Sequence, residues 1–312
     1  MSPHDLWLTT EFNKELNAAV VALAGTQPEF RRLIIDAVSH GRKIRSNLAF
    51  IFAQQNGWSV SSNCIADLAN LELLHSASCV LDDVIDGDVV RRGMPSFHVR
   101  NGLAQALLTC LLMVAIPLCK SDLVGVQLGE TLERMIIGEG WDAFLASVSI
   151  GGERHLVDKY LEKTVPSFEV AHFIVAHHAD CSLEDIKQAV YFGGLLGKMY
   201  QVANDFYDIF EIPTETRGEG GDDVLVNLSV PMCFLMESDP SVSVIIGNRI
   251  KRIDLFALRE RMLAVGADKK TRAFLEEIKK ALGDFFSGGL PQEYEEIISR
   301  VDSVEFWSYK YE

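Results

Sequence analysis

Apolar residues recur along this chain at three- and four-residue intervals, the spacing of one face of an α-helix, from residue 10 almost to the C-terminus. The pattern predicts helices over about 10–24, 28–39, 44–56, 62–86, 101–116, 120–147, 153–178, 183–211, 228–238, 248–264, 268–285 and 291–301. Start and stop signals agree with it. In "CSLEDIKQAV" Ser182 can cap the helix that follows, with Asp185 answering three residues on. Gly87 is a natural left-handed stop for the helix over 62–86. Strand-like alternation is nearly absent, and "SVSVIIG", residues 241–247, is too short a run for periodicity to settle. With no repeat, low-complexity segment or linker to divide the chain, the expectation is one all-α domain over residues 1–312.

Two of these helices are apolar on most faces, the mark of a helix inside a large bundle. One carries Leu68, Leu71, Leu74, Val80, Leu81 and Ile85; the other carries Ile186, Val190, Phe192, Leu195, Leu196, Met199, Val202 and Phe206. Both end in acid. "DDVIDGD" puts Asp82, Asp83 and Asp86 in the last turn and Asp88 just beyond; "NDFYD" puts Asn204, Asp205 and Asp208 before Pro213. A helix C-terminus already carries partial negative charge, so carboxylates crowded there make sense around a cation. In each triplet the spacing is i, i+1, i+4, which sets the first and last on one face. Two such clusters facing each other across a cavity would form a cage of hard oxygen donors. Magnesium suits it, because that ion takes one or two carboxylates and fills its shell with water and substrate phosphates. A solvated helix end is the bland reading of one cluster; two of identical spacing on strongly apolar helices argue against it. An EF-hand is excluded, since Gly87 at its sixth position would put Val84 at the third and Gly93 at the twelfth.

Composition narrows the picture. Hydrophobic residues make up 48% of the 312 and charged residues 23%, enough for a sizeable core. A net charge of −15 argues against nucleic acid as a partner. The basic residues that do cluster are Arg42, Lys43 and Arg45, then Arg91 and Arg92, then Lys163. Each run alone reads as a solvated face. Beside the acid clusters they describe a site for phosphorylated, metal-bridged ligands, because the arginine fork suits phosphate oxygens. Six scattered cysteines without a CxxC pair suggest neither zinc nor disulfides, and fit reduced thiols in a cytoplasmic protein. The N-terminus shows no signal-peptide pattern. Residues 101–119 carry no charge and approach membrane-spanning length, but Asn101, Gln105, Thr109 and Pro117 favour a buried helix, so no transmembrane segment is expected. The histidines of "HFIVAHH" fit no zinc motif and read as packed or surface residues. The glycine-rich "RGEGGDD", residues 217–223, lacks the strand a nucleotide fingerprint needs and reads as a mobile flap.

Five blocks in order, from about residue 40 to residue 231, resemble the trans-prenyltransferases, the isoprenyl diphosphate synthase family of all-helical enzymes. "HGRKIRSN" is similar to the family's GGKRxRP, with Arg42 for lysine and Ser46 for proline. "LLHSASCVLDDVIDGDVVRRGMPSFH" resembles the first aspartate-rich region, with His75, Pro95 and His98. "YLEKT" supplies Lys163 and Thr164; "GKMYQVANDFYD" resembles the second aspartate-rich motif with Tyr200 and Gln201; "GGDDVLVNLSVP" keeps Gly220, Asp222 and Pro231 in register. The resemblance implies an isoprenoid-synthase-type bundle around a deep central cavity. It implies that an allylic diphosphate and isopentenyl diphosphate are the substrates, that three magnesium ions bind with the diphosphate, and that the protein is a homodimer. By the same resemblance Asp82 and Asp86 hold magnesium with Asp83 in support, Arg91 and Lys163 neutralise the allylic diphosphate, and Arg42, Arg45, His75 and Arg92 bind isopentenyl diphosphate. Thr164, Gln201, Asn204, Asp205 and Asp208 complete the second wall, with Asn204, Asp205 and Asp208 among the metal ligands.

Two departures stand out. Asn204 replaces the first aspartate of the second motif, and Asn227 stands where a diphosphate-binding lysine is expected. One charge pair at about 4 Å in an effective dielectric of 20 is worth on the order of 4 kcal/mol, so losing one acid and one base weakens the clamp at unchanged net charge. These asparagines leave room for a class I terpene synthase on the same scaffold or a non-catalytic regulatory subunit. Arg42, Arg45, His75 and Arg92 favour elongation, since a cyclase has no use for an isopentenyl site. One turn before Asp82 the side chains are small, Ala77 and Ser78, with Leu74 and Leu71 as the next floor. A turn rises about 5.4 Å, close to one isoprene unit, so the expected product is C20 or longer. Ala77→Phe is expected to shorten it.

Overall fold

A computed structural model describes residues 10–25, 27–39, 41–145, 155–211, 223–225, 227–245, 249–251 and 255–286, with scattered positions from 289 to 298. In chain order the elements are α1 (Thr10–Leu23), α2 (Pro28–Ser39), α3 (Ile44–Gln55), α4 (Ser62–Asp86), β1 (Val90–Arg91), β2 (Met94–Pro95), α5 (Phe97–Asn101), α6 (Leu103–Leu118) and α7 (Leu123–Gly140). There follow α8 (Leu156–Leu161), α9 (Val165–His178), α10 (Leu183–Phe206), β3 (Asp223–Leu225), α11 (Val230–Ser238), β4 (Arg249–Lys251), α12 (Leu255–Ala264) and α13 (Ala267–Phe285). The fold is all-α, as the apolar period dictates. The elements cluster into two compact groups, one from Met1–Val89, Pro95–Glu133 and Pro166–Gly194, the other from Val90–Met94, Arg134–Val165 and Leu195–Glu312.

The first group is built on α4, which packs against α1, α2 and α6. Among the described residues α4 alone has the length and apolarity to cross a membrane, yet most of it is buried. It is less apolar inside than its leucines suggest, because Asp67, Asn70, Glu72, Ser76 and Asp83 are buried too. Buried carboxylates need partners, and two are on view. Asp67 binds the Lys120 ammonium and lies 2.8 Å from His178 Nε2. Glu72 accepts from the Ser46 hydroxyl at 2.5 Å. Cys110 Sγ meets the Ala77 carbonyl oxygen at 3.6 Å while Lys120 reaches back to Asp67, so α4 and α6 run antiparallel. Deeper in the group His172 sits wholly buried against the rings of Phe52 and Phe192 and donates from Nδ1 to the Phe168 carbonyl at 2.8 Å. Gly193 makes room for that ring, since a Cβ there would stand 2.7 Å from His172 Nδ1.

The expectation of a buried helix over 101–119 is corrected. Ala106, Thr109, Cys110, Met113 and Pro117 are buried, but the other face of α6 exposes Leu103 (54%), Leu107 (41%), Leu108 (54%), Leu111 (66%) and Leu118 (40%). Missing charge marked this helix as apolar all round; only one of its faces finds α4.

In the second group α11 packs against α8, α12 and α13, burying Val230, Met232, Cys233, Leu235 and Met236. The helix expected over 248–264 starts later, because Arg249–Lys251 pairs as an antiparallel strand with Asp223–Leu225. Residues Pro240–Ile245 of the ambiguous "SVSVIIG" region form a 3₁₀ turn. The single helix expected over 153–178 is broken into α8 and α9, because residues 162–164 form tight turns in which Lys163 N donates to Tyr160 O at 3.2 Å and Thr164 N to Leu161 O at 3.0 Å. Pro166, which has no N–H to give a continuing helix, enters just after the break. Two helices also end in an unexpected way: α7 and α10 each finish in one π-helical turn, Trp141–Leu145 and Tyr207–Glu211.

Candidate active site

The tip of α4 ends as its sequence requires. Ser61 caps the start, accepting from Cys64 N at 3.2 Å. At the other end Gly87 takes φ 74°, its N–H bonds Asp83 O, and Asp88 N reaches the same oxygen at 2.9 Å, the paired closure of a left-handed stop. This geometry sorts the acids: Asp83 is 1% exposed, whereas Asp82 and Asp86, one turn apart, are partly open to solvent. Next comes the hairpin β1–β2, whose two-residue loop is Arg92 (φ 54°) and Gly93 (φ 70°). Positive φ at both positions is the turn that matches strand twist. For Arg92, which has a Cβ, that conformation is strained, and it fixes an arginine at the apex.

The basic block before α3 divides by conformation. Lys43 takes a left-handed φ of 49° and folds its ammonium back on the carbonyls of Val38 (3.5 Å) and Gly41 (3.3 Å), closing the end of α2. Arg45, nearly buried, donates from Nε to Ser167 Oγ at 2.6 Å and from a terminal nitrogen to His75 Nε2 at 2.8 Å, with its guanidinium 4.9 Å from the Phe168 ring. An arginine has only donors, so His75 Nε2 accepts and the imidazole is neutral. Arg42 is partly exposed. Ala77 and Leu74 are wholly buried, and Ser78 is half-buried with its hydroxyl on His75 O at 2.8 Å.

Lys163 and Thr164 occupy the break between α8 and α9. The Lys163 ammonium donates to the Asp142 carboxylate and lies 3.4 Å from Glu139 Oε2. Thr164 Oγ1 donates to Gln201 Oε1 at 2.6 Å, and the Gln201 amide donates onward to Tyr160 Oη at 2.9 Å and Asp205 Oδ1 at 2.7 Å. Asp205 Oδ1 also accepts a hydrogen bond from the Tyr160 hydroxyl at 3.1 Å, and Oδ2 accepts one from Val230 N at 2.8 Å. Burial pushes the Asp205 carboxyl up to about 6 against the pull of Val230 N–H and the Tyr160 hydroxyl, and raises the Tyr160 phenol well above its usual value. Both Asp205 oxygens are thus engaged by protein donors. Asn204 and Asp208 share a face as the spacing predicts, Nδ2 to Oδ2 3.3 Å, and are only partly buried.

Within the first group the chain therefore brings together Arg45 and His75, and within the second Lys163, Thr164, Gln201, Asn204, Asp205 and Asp208. Gly220 and Asp222 lie outside the described residues, as does all of the glycine-rich "RGEGGDD" but Asp223. Sequence reasoning missed Asp142, Glu139, Tyr160 and Ser167. A signal for the first two was present: "GEGWD" is a third apolar helix ending in acid. Among the described residues no three acid, histidine or cysteine side chains converge closely enough to cage an ion unaided. The donor chemistry still fits magnesium, since Asp82 with Asp86 and Asn204 with Asp208 each offer two hard oxygen side chains on one face, and that ion completes its shell with water and phosphate oxygens.

Residues 27–286 match the polyprenyl synthetase family. The chain is 26% identical over 251 residues to geranylgeranyl pyrophosphate synthase 10, mitochondrial, of Arabidopsis thaliana, covering 74% of this chain and 70% of that one. It is 28% identical over 185 residues to geranylfarnesyl diphosphate synthase of Methanosarcina mazei, covering 57% and 62%. Among solved structures, the polyprenyl synthase from Caulobacter crescentus complexed with calcium and isoprenyl diphosphate superposes with a TM-score of 0.75 at 18% identity, over 99% of this chain and 98% of that one.

Proposed function

Because the chain belongs to the polyprenyl synthetase family, we propose that it is a trans-prenyltransferase that joins an allylic diphosphate to isopentenyl diphosphate and releases a prenyl diphosphate of C20 or longer. The observation that carries this reading is the buried Arg45 held by Ser167, Phe168 and a neutral His75. A guanidinium fixed on three sides is built for a phosphate group, and only an elongating enzyme needs a second diphosphate site.

In this reading Asp82, Asp86, Asn204 and Asp208 hold magnesium, with Asp83 and Asp205 supporting them from buried positions. Magnesium, when bound, supplies Lewis-acid stabilisation of charge developing on the leaving diphosphate. Arg91 and Lys163 neutralise that group, while Thr164 and Gln201 orient the corner that carries Lys163. Arg42, Arg45, His75 and Arg92 hold isopentenyl diphosphate. The allylic C–O bond breaks, the isopentenyl double bond attacks the allylic carbon, and a proton leaves the adduct for the departed diphosphate. The protein needs no general base; it contributes apolar walls that keep water from the cation. We also propose that a second copy of the chain covers the leucine face of α6, and that the protein is cytoplasmic, which the scatter of its six cysteines supports.

Asn204 and Asn227 favour a second reading, cyclisation of one prenyl diphosphate without isopentenyl diphosphate. Incubating the protein with magnesium and geranyl or geranylgeranyl diphosphate, with and without isopentenyl diphosphate, separates the two when products are weighed after phosphatase treatment. Alcohols longer by five carbons, formed only with both substrates, are expected. Hydrocarbon formed from one substrate would replace elongation with cyclisation. Inactivity rescued by a related chain would indicate a regulatory subunit.

A further inference from the structure

The corner that carries Lys163 is gripped by the C-terminal end of α7 and the π turn that follows it. A Cβ at Gly138 would overlap the backbone nitrogen of Lys163, so the two backbones touch and only glycine fits. One turn earlier Arg134 holds Glu162 with two parallel bonds, Nε–Oε2 2.5 Å and a terminal nitrogen to Oε1 2.9 Å. One residue beyond Gly138 is Glu139, and the π turn that ends α7 carries Asp142, whose side chain is 2% exposed. Both acids bind the same ammonium. The Asp142 carbonyl also accepts Leu228 N at 3.4 Å.

A lysine is a compact charge on a flexible four-carbon stem, so its position is set by what holds it. Acids beside an anion-binding ammonium carry a penalty, because they repel the anion. Their presence next to Lys163 therefore calls for a return in something other than affinity. We propose that Asp142, backed by Glu139, is a positioning residue that fixes the Lys163 ammonium against the leaving diphosphate. The inference rests on reading Lys163 as a ligand of the allylic diphosphate.

It predicts a signature that a scaffold residue does not give. Asp142→Asn removes the repelling charge and loosens the ammonium, so magnesium pyrophosphate binds about 3- to 10-fold more tightly while kcat falls about 10- to 100-fold. Calorimetry with inorganic pyrophosphate and magnesium reads the first; steady-state rates with geranyl and isopentenyl diphosphates read the second. Glu139→Gln, at a partly exposed position, moves both in the same directions by less, which keeps the test sound if Asp142→Asn folds poorly. Lys163→Met lowers kcat, and adding Asp142→Asn to it lowers kcat no further. Weaker pyrophosphate binding in Asp142→Asn and Glu139→Gln, or losses that multiply in the double variant while Lys163→Met is itself impaired, would overturn the role of Asp142 alone. Unchanged allylic kinetics in Lys163→Met would overturn the reading of Lys163, and the positioning role with it.

Discussion

Asn204 is the residue at which one atom decides most. Its amide lies 3.3 Å from Asp208 Oδ2 and 3.4 Å from Asp205 Oδ1, so it now softens repulsion between two carboxylates. Asn204→Asp removes that donor and adds a charge where magnesium is proposed to bind. The expected outcome is a several-fold lower magnesium concentration at half-maximal rate together with lower stability of the metal-free protein, read by metal titration and by melting in a chelator. An unchanged magnesium requirement would remove Asn204 from the ligand set. His172 supports a second prediction. Burial lowers its pKa from 6.5 to about 4, so the folded protein keeps the ring neutral where the unfolded chain would protonate it. Its contribution is complete above about pH 6.5 and shrinks as pH falls toward 4, by about 3 kcal/mol over the whole interval. Urea unfolding of the protein and of His172→Phe should show a gap between their stabilities that depends on pH across this window, with parallel curves counting against it.

At the scale of elements, the antiparallel pairing of α4 with α6 bears on product length. Ala77, whose backbone carbonyl meets Cys110 Sγ of α6, is wholly buried, so Ala77→Phe would overpack a closed position, at about 1–3 kcal/mol, before it could block any product. Ser78, half-buried on the same turn, is the better probe. Ser78→Phe is expected to shorten the main product by at least one five-carbon unit with little change in melting temperature; products of unaltered length would move the floor elsewhere. The helices of this fold were largely legible because burial of one face imposes a period: α4 was read to its first and last residues, and Gly87 and Ser182 act as the stop and the cap their chemistry suggests. The break that carries Lys163 was not, because Tyr160, Leu161 and Val165 keep the apolar period through it. The π turns were missed for a related reason. One added residue leaves composition and apolar content untouched and changes only the direction in which later side chains point. For the candidate residues the same division holds: charge and spacing alone nominated Asp82, Asp86, Arg45 and Lys163, whereas the contacts of Ser167 with Arg45 and of Tyr160 with Asp205 follow no local pattern.

For the whole molecule, the leucines of α6 form an exposed apolar face that water disfavours, the face a second copy of the chain is proposed to cover. Leu108→Lys with Leu111→Lys is expected to convert the protein to a monomer in sedimentation velocity; a dimer that persists would place its contact elsewhere. In the interior, Asp67 ties together Lys120, just past α6, and His178, at the end of α9. Asp67→Asn leaves the Lys120 ammonium and the His178 imidazole without their acid and should cost about 3–5 kcal/mol in denaturant titrations. Asp142 and Asp208 each ride on a single π turn, which differs from α-helix by one inserted residue. Deleting one codon within Trp141–Leu145 would swing everything after it by about 100°, a full residue step around the helix axis. An ancestor could thus have acquired or lost either carboxylate's aim through a single small indel, with no substitution at the acid itself.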